Sequence, residues 1–219
     1  MAAAFRGWPP EALEFLRELE DNNDRDWFKA NRSRHQDHLV EPALALAADL
    51  AEFGPPHVFR PWNDTRFHMR PPIKEQVGMT IGYVGGGGYY VEISLDGLFV
   101  GAGLHHPAPD QLDRIRRAID TPRTVAGLKR AVDAASEAGL SFVEPELTRA
   151  PRGFPADHPE VDLLRRKSLT VSRRYELAGW VHKPEAGRRV RKLVEGATPL
   201  VEWLRSRVGP PQDESRRRR

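Results

Sequence analysis

Cysteine is missing from this chain of 219 residues, which removes disulfides, thiolate metal sites and cysteine nucleophiles together. Long apolar runs are missing as well. No stretch approaches the roughly 18 uninterrupted apolar residues that a membrane-spanning helix requires, and mean hydropathy is -0.59. The opening Met1-Ala2-Ala3-Ala4-Phe5-Arg6-Gly7-Trp8-Pro9-Pro10 lacks the continuous apolar core of a secretory signal, so a cytoplasmic protein with no membrane partner is expected. Charge of one sign is scarce too: 34 Lys+Arg face 31 Asp+Glu, a net +3. Arg216, Arg217, Arg218 and Arg219 against Asp213 and Glu214 put +2 of that in the last ten residues. Paired arginines such as Arg165-Arg166 and Arg173-Arg174 lie beside acids, so no basic stripe for nucleic acid emerges.

What remains is a chain of a length suited to one globular unit, and its periodicity changes twice. Pro9-Pro10 precedes an amphipathic helix with Leu13, Phe15, Leu16 and Leu19 inward. Asn23 or Asp24 then caps a second, carrying Trp27, Phe28, Asn31, His35, His38 and Leu39, and an Ala/Leu-rich segment follows Pro42. Beyond Gly54-Pro55-Pro56 the period becomes two. Val77, Met79, Ile81 and Tyr83 alternate with small or polar residues, as do Tyr89, Val91, Ile93 and Leu95. Asp96-Gly97 predicts a two-residue hairpin turn, and keeping one face apolar predicts a three-strand meander over 76–106. A further strand is expected over 58–68, with Arg60, Trp62, Asp64, Arg66 and His68 on one side.

Helical spacing then returns. Pro109 opens a helix with Leu112, Ile115 and Ile119 inward, Thr121-Pro122 caps another ending at Gly139, and Pro159 starts a short one. Ser168 to Tyr175 reads as a strand. After Pro184 a long final helix places Val190, Leu193, Val194, Ala197, Leu200, Val201 and Leu204 on one stripe. The expected architecture is α+β: a single domain over 8–208 with an antiparallel sheet covered by helices, and a disordered Arg-rich tail over 209–219.

The polar side of the meander is where chemistry could sit. Tyr90 and Glu92 project there opposite Gly103 and Gly101, and glycine inside a strand marks either a close backbone approach or room for a ligand. Period two sets Asp64 beside Arg66, with Lys74 arriving from the following turn. A guanidinium fork and a mobile ammonium suit an anionic group; an Asp–Arg pair anchoring the turn is the structural alternative. Other constellations carry less. His35 and His38 lack a third metal ligand, and His105 and His106, taken as adjacent strand residues, point to opposite faces, so no metal site is expected. The run Gly85 to Gly88 precedes a strand instead of opening a helix, which makes it a hairpin loop. Trp27, Phe28 and Trp62 read as packing residues.

Six motifs in order carry a resemblance: Asn22-Asn23-Asp24-Arg25-Asp26-Trp27-Phe28, Arg60 to Phe67, Pro72-Ile73-Lys74, Gly88-Tyr89-Tyr90, Gly101-Ala102-Gly103, and Arg152-Gly153-Phe154 through His158-Pro159 to Lys167-Ser168. Over about residues 10 to 207 the chain resembles the domain of unknown function 2461 family, which implies a conserved, mostly bacterial protein of unassigned activity. The family's segment Arg-Phe-Ser followed by Asp-Lys-Ser-Pro-Tyr-Lys is here shorter, Arg66-Phe67-His68-Met69-Arg70-Pro71-Pro72-Ile73-Lys74, and lacks the acid and tyrosine. Anion binding therefore transfers better than acid–base chemistry. The resulting expectation is a polar pocket in which Arg60, Asp64, Arg66, Lys74 and Lys167 hold an anionic small molecule while Glu92 or Tyr90 handles protons; the cofactor is left unknown. A protein-interaction module is one alternative, and weak nucleic-acid binding through the arginine tail is another.

Overall fold

Proline and glycine punctuate the chain, and the elements fall between them. The computed structural model describes residues 4–64 and 70–212. Helices α1 (Pro10–Asp21), α2 (Arg25–Ala30), α3 (Arg32–His35) and α4 (Glu41–Asp49) come first, then strands β1 (Pro56–Val58), β2 (Gln76–Ile81), β3 (Gly88–Ser94) and β4 (Gly97–Leu104). Helices α5 (Pro109–Ile119) and α6 (Pro122–Ala138), strand β5 (Ser141–Phe142), helix α7 (Val161–Leu164), strand β6 (Leu169–Tyr175) and helix α8 (Glu185–Arg207) complete the order. Proline stands in the first turn of α1, α5 and α6, where its missing N–H has no intrahelical partner to lose. Gly139 ends α6 at φ 105°, a conformation in which a Cβ would be strained. The six strands hydrogen-bond in the order β1-β2-β3-β4-β6-β5 as one antiparallel sheet, an α+β arrangement.

The chain forms two units of interleaved segments. One draws on Met1–Gly82, Tyr90–Val100 and Arg174–Arg191. Asp24 caps α2 by accepting from the Asp26 and Trp27 N–H groups at 2.8 and 2.9 Å. Between α3 and α4 the helix widens into a π turn over Gln36–Val40, immediately before Pro42. Proline cannot donate to the carbonyl four residues back and its ring crowds that carbonyl; a wider turn relieves both problems. His35 ends up buried, its ring 5.6 Å from Phe15 and 5.1 Å from Phe28. On β2, Val77, Met79 and Ile81 are buried, as period two requires. The strand stops at Ile81, which leaves Tyr83 exposed instead of extending the apolar stripe.

The other unit draws on Tyr83–Tyr89, Gly101–Arg173 and Lys192–Arg219. Its helix α5 buries Gln111, Ile115 and Ile119; the expected Leu112 is only half-buried. A fully buried amide is tolerable there because all its polar atoms are paired. Gln111 accepts from the Ala108 N–H at 3.0 Å and donates to the Gly85 and Gly209 carbonyls at 2.6 and 2.8 Å. Arg114 donates to the Val208 carbonyl and, at 2.8 Å, to that of Pro210, while the Gln212 N–H reaches Asp110 at 2.9 Å. Residues 209–212, expected to belong to the disordered tail, are thus tied down; 213–219 lie outside the described residues.

Three other expectations change in detail. The turn between β3 and β4 is Leu95-Asp96, one position earlier than expected, with Gly97 opening β4 at φ 135°. Sliding a two-residue turn by one position moves cross-strand partners by two, so Tyr89, Val91, Ile93, Leu98, Val100, Ala102 and Leu104 still share the buried face. Of the strand expected over 58–68, residues 65–68 lie outside the described residues, and in the described part β1 ends at Val58: Pro61 has no N–H for a ladder, and the chain instead makes a bridge from Trp62 to Ile73. Trp62, read as a packing residue, meets Phe28 in a T-shaped contact at 5.4 Å while remaining 46% exposed, so it packs at the surface and not in the core.

Burial, aided by the charge of Arg32, pushes the His35 imidazole down to about 4. An unfolded chain titrates near the ordinary histidine value of about 6.5, so it takes up the proton first as pH falls. Stability is full above about pH 6.5 and declines through pH 4, by about 3 kcal/mol from this residue. The midpoint of urea unfolding, followed between pH 7 and 4 for the native chain and His35→Leu, should fall less steeply in the variant; identical slopes would assign the acid sensitivity elsewhere.

Candidate functional site

Lys74 is placed by a short ladder of two chain segments. The Lys74 N–H donates to the Pro61 carbonyl at 2.7 Å and the Asn63 N–H to the Pro72 carbonyl at 3.0 Å. Asn23 clamps the second segment: its amide accepts from the Ile73 N–H at 3.0 Å and donates to the Ile73 carbonyl at 3.0 Å and to Glu75 at 2.8 Å. Asn23 was a capping candidate in sequence; Asp24 does the capping and Asn23 positions the site arm. The Lys74 ammonium donates to the Arg60 carbonyl at 2.8 Å and stands 5.5 Å from the Phe59 ring centroid. Partial burial, with the charge of Arg60, holds its pKa below the usual lysine range.

Beside it, in the same unit, Tyr90 and Glu92 of β3 and Phe99 of β4 share one face. The Tyr90 hydroxyl donates to Glu92 Oε2 at 2.6 Å. Glu92 is only 9% exposed, and its Oε1 faces the Arg174 guanidinium at 3.6 Å. Burial, followed by the hydrogen bond and charge of Glu92, pushes the Tyr90 phenol well up, against a smaller opposing effect of Gln76. Tyr90 is therefore a neutral donor that orients Glu92. It does not act as a base near neutral pH, which narrows the earlier pairing of the two residues. Arg174 also lies 5.0 Å over Phe99, and Tyr90 is 6.0 Å from Phe99 and 6.2 Å from Phe59. Ser94, two residues along the same face as Glu92, has a buried hydroxyl with no hydrogen-bond partner.

Room for this arrangement comes from Gly78, which sequence reading did not single out. A Cβ there would stand 2.5 Å from the Tyr90 hydroxyl oxygen, so the phenol lies across β2 only because position 78 has no side chain. Of the two parts considered for Gly103, it takes the close backbone approach: at φ 123°, a Cβ there would run into the Leu169 carbonyl of β6, so it is not a pocket floor.

The remaining residues are distributed as follows. Arg60 and Asp64 are exposed; Arg66, with its expected partnership to Asp64, lies outside the described residues. Lys167 belongs to the other unit. There its N–H donates to Glu146 Oε2 at 2.7 Å, and Ser168 donates to Oε1 at 2.8 Å. Burial pushes Glu146 up, but those bonds outweigh it and hold the carboxyl below its ordinary value. In that unit β4 ends at Leu104 and His106 takes φ 53°, so the two imidazoles expected on opposite faces lie 3.8 Å apart. Among the described residues no group of three His, Asp or Glu is placed to hold a metal ion. His158 is a structural link: Nδ1 accepts from the Glu160 N–H at 3.0 Å, which leaves Nε2–H to donate to Asp120 at 3.0 Å.

Asn23→Ala should leave the buried Ile73 N–H unpaired and cost about 1–3 kcal/mol. Hydrogen exchange would then accelerate at Ile73 and Lys74 ahead of the β3 amides. Uniform acceleration would mean that Asn23 supports the fold generally and not this arm.

No helix among the described residues is long and apolar enough to cross a membrane. No curated protein and no solved structure matches the chain. A family model described as conserved hypothetical protein (DUF2461) matches residues 11–203. That span takes in Asn23, the Lys74 arm, the Tyr90–Glu92 pair and Arg174, and it shows that the chain belongs to the domain of unknown function 2461 family.

Proposed function

We propose that the protein binds an anionic small molecule on the polar face of the sheet, with Lys74 and Arg174 as its cationic contacts. The reading rests on one observation: two cations from distant parts of the sequence stand over the outer members of a group of neighbouring rings, Phe59, Tyr90 and Phe99. Phe59 is 38% exposed, so solvent and solutes reach the face. An anion there would meet Lys74 as a point charge and Arg174 as a planar fork. Arg174 is already drawn to Glu92 at a distance too long for a hydrogen bond, and an incoming carboxylate or phosphate could compete for it. Glu92, oriented by Tyr90, could accept a ligand proton or N–H. Arg60 supplies further positive charge, and a cytoplasmic setting suits a chain without cysteine. Binding is the function supported; turnover would need a group whose proton affinity is matched to a reaction, and Tyr90 is not one.

Thermal unfolding in the presence of inorganic phosphate, sugar phosphates and organic acids tests this. A ligand at a hundredfold excess over its Kd should add about 2.7 kcal/mol of stability, and Lys74→Ala or Arg174→Ala should weaken its binding about tenfold or more. Anions that stabilise both variants as well as the native chain would remove the proposal.

A further inference from the structure

We propose that the ligand of this face is a nucleotide unit, its base stacked on a row of aromatic rings and its phosphate held by a flanking cation. The inference rests on the anion-site reading and specifies its ligand. His57, Phe59, Tyr90 and Phe99 form a continuous row, with centroid steps of 5.2, 6.2 and 6.0 Å. The row starts at β1 and reaches β4, yet β2 lies between β1 and β3 in the sheet. It is unbroken because β2 contributes Gly78 at the crossing: the Tyr90 ring lies over that glycine, and the Phe59 N–H donates to its carbonyl at 3.0 Å. Any side chain at 78 would interrupt the row. Tyr90 is further fixed by its 2.6 Å bond to Glu92, so the central ring is preorganised.

Rings that are exposed at His57 and Phe59 and half-buried at Tyr90 and Phe99 could serve any apolar ligand, but their combination with charge is more selective. Lys74 stands by the Phe59 end and Arg174 by the Phe99 end. A cation at each end of a run of rings matches a ligand that joins a base to a phosphate, and base stacking on sheet aromatics tolerates any base because every base has a π-face. A lone carboxylate or phosphate would need one cation and no ring. The row exceeds the length of a single base, which suits a short single strand better than a free nucleotide. Both present the same chemistry, and the arginine tail takes no part in it.

The test uses the full chain with three probes: AMP, ribose 5-phosphate, and a fluorescein-labelled six-nucleotide single-stranded DNA. AMP and the strand should bind more tightly than ribose 5-phosphate. Phe59→Leu, which keeps an exposed apolar residue but removes the ring, should weaken AMP and the strand about tenfold and leave ribose 5-phosphate unchanged. Gly78→Ala should act in the same direction by displacing Tyr90. Tighter binding of the strand than of AMP identifies the polymer as the ligand; equal binding identifies the free nucleotide, and both support the inference. Ribose 5-phosphate binding as well as AMP, lost in Lys74→Ala but not in Phe59→Leu, overturns the nucleotide inference and leaves the anion site standing. Absence of binding by all three probes overturns the nucleotide inference, and if the wider anion series also fails, the anion-site reading falls with it. Strand binding that is indifferent to Phe59→Leu overturns the ring row as its seat.

Discussion

A backbone amide or carbonyl taken out of water without a partner costs about 1–3 kcal/mol, and the irregular segments of this chain are arranged around that constraint. Two side-chain amides illustrate the pairing. In one unit Asn23 satisfies both the N–H and the carbonyl of Ile73, fifty residues away in sequence. In the other Gln111, wholly buried, satisfies an N–H of its own helix start and the carbonyls of Gly85 and Gly209. An amide suits this work because it donates and accepts without charge, so its burial carries no ionisation penalty. The Lys74 arm stands where it does because Asn23 leaves no polar atom of Ile73 unmatched.

The same reasoning explains which parts of the fold were legible in the sequence. Repetition made the regular elements readable: the stripe from Val190 to Leu204 is buried at every position named, and Val77, Met79 and Ile81 alternate as written. Departures occur where a single interaction overrides periodicity. Gln111 goes inward and Leu112 does not, because hydrogen bonds to residues far along the chain compensate its burial, and no local pattern encodes those partners. The Asp96-Gly97 signal was displaced by one residue because Gly97 meets the Tyr175 backbone, an approach visible only once β6 lies beside β4. Pro61 was in plain view and could have shortened the strand expected over 58–68.

The candidate site was legible in part. Tyr90 and Glu92 could be set on one face because strand alternation fixes which side chains share it, and that face survives a two-residue change of register; Lys74 was read from a turn, not from alternation. Arg174 was missed: it sits in β6, and nothing in the sequence tells that β6 joins the sheet next to β4. Phe59 and Gly78 were missed for a related reason. A lone phenylalanine and a lone glycine have no local signature, and what links them is the tyrosine ring that lies over the glycine and beside the phenylalanine. His106 shows the reverse, since extending a strand two residues too far separated two imidazoles that a left-handed backbone brings together.

The π turn at Gln36–Val40 has a consequence for how the helical region tolerates change in length. A wide turn holds one residue more than an α-turn, and one residue corresponds to about 100° of rotation about the axis. His35 before the turn and Ala43 after it are both buried. Removing a single residue between Gln36 and Val40 could return the segment to ordinary winding, whereas the same deletion within α1 or α8 would swing an entire buried stripe toward water. Natural variation in the length of this region should accordingly concentrate at that one turn.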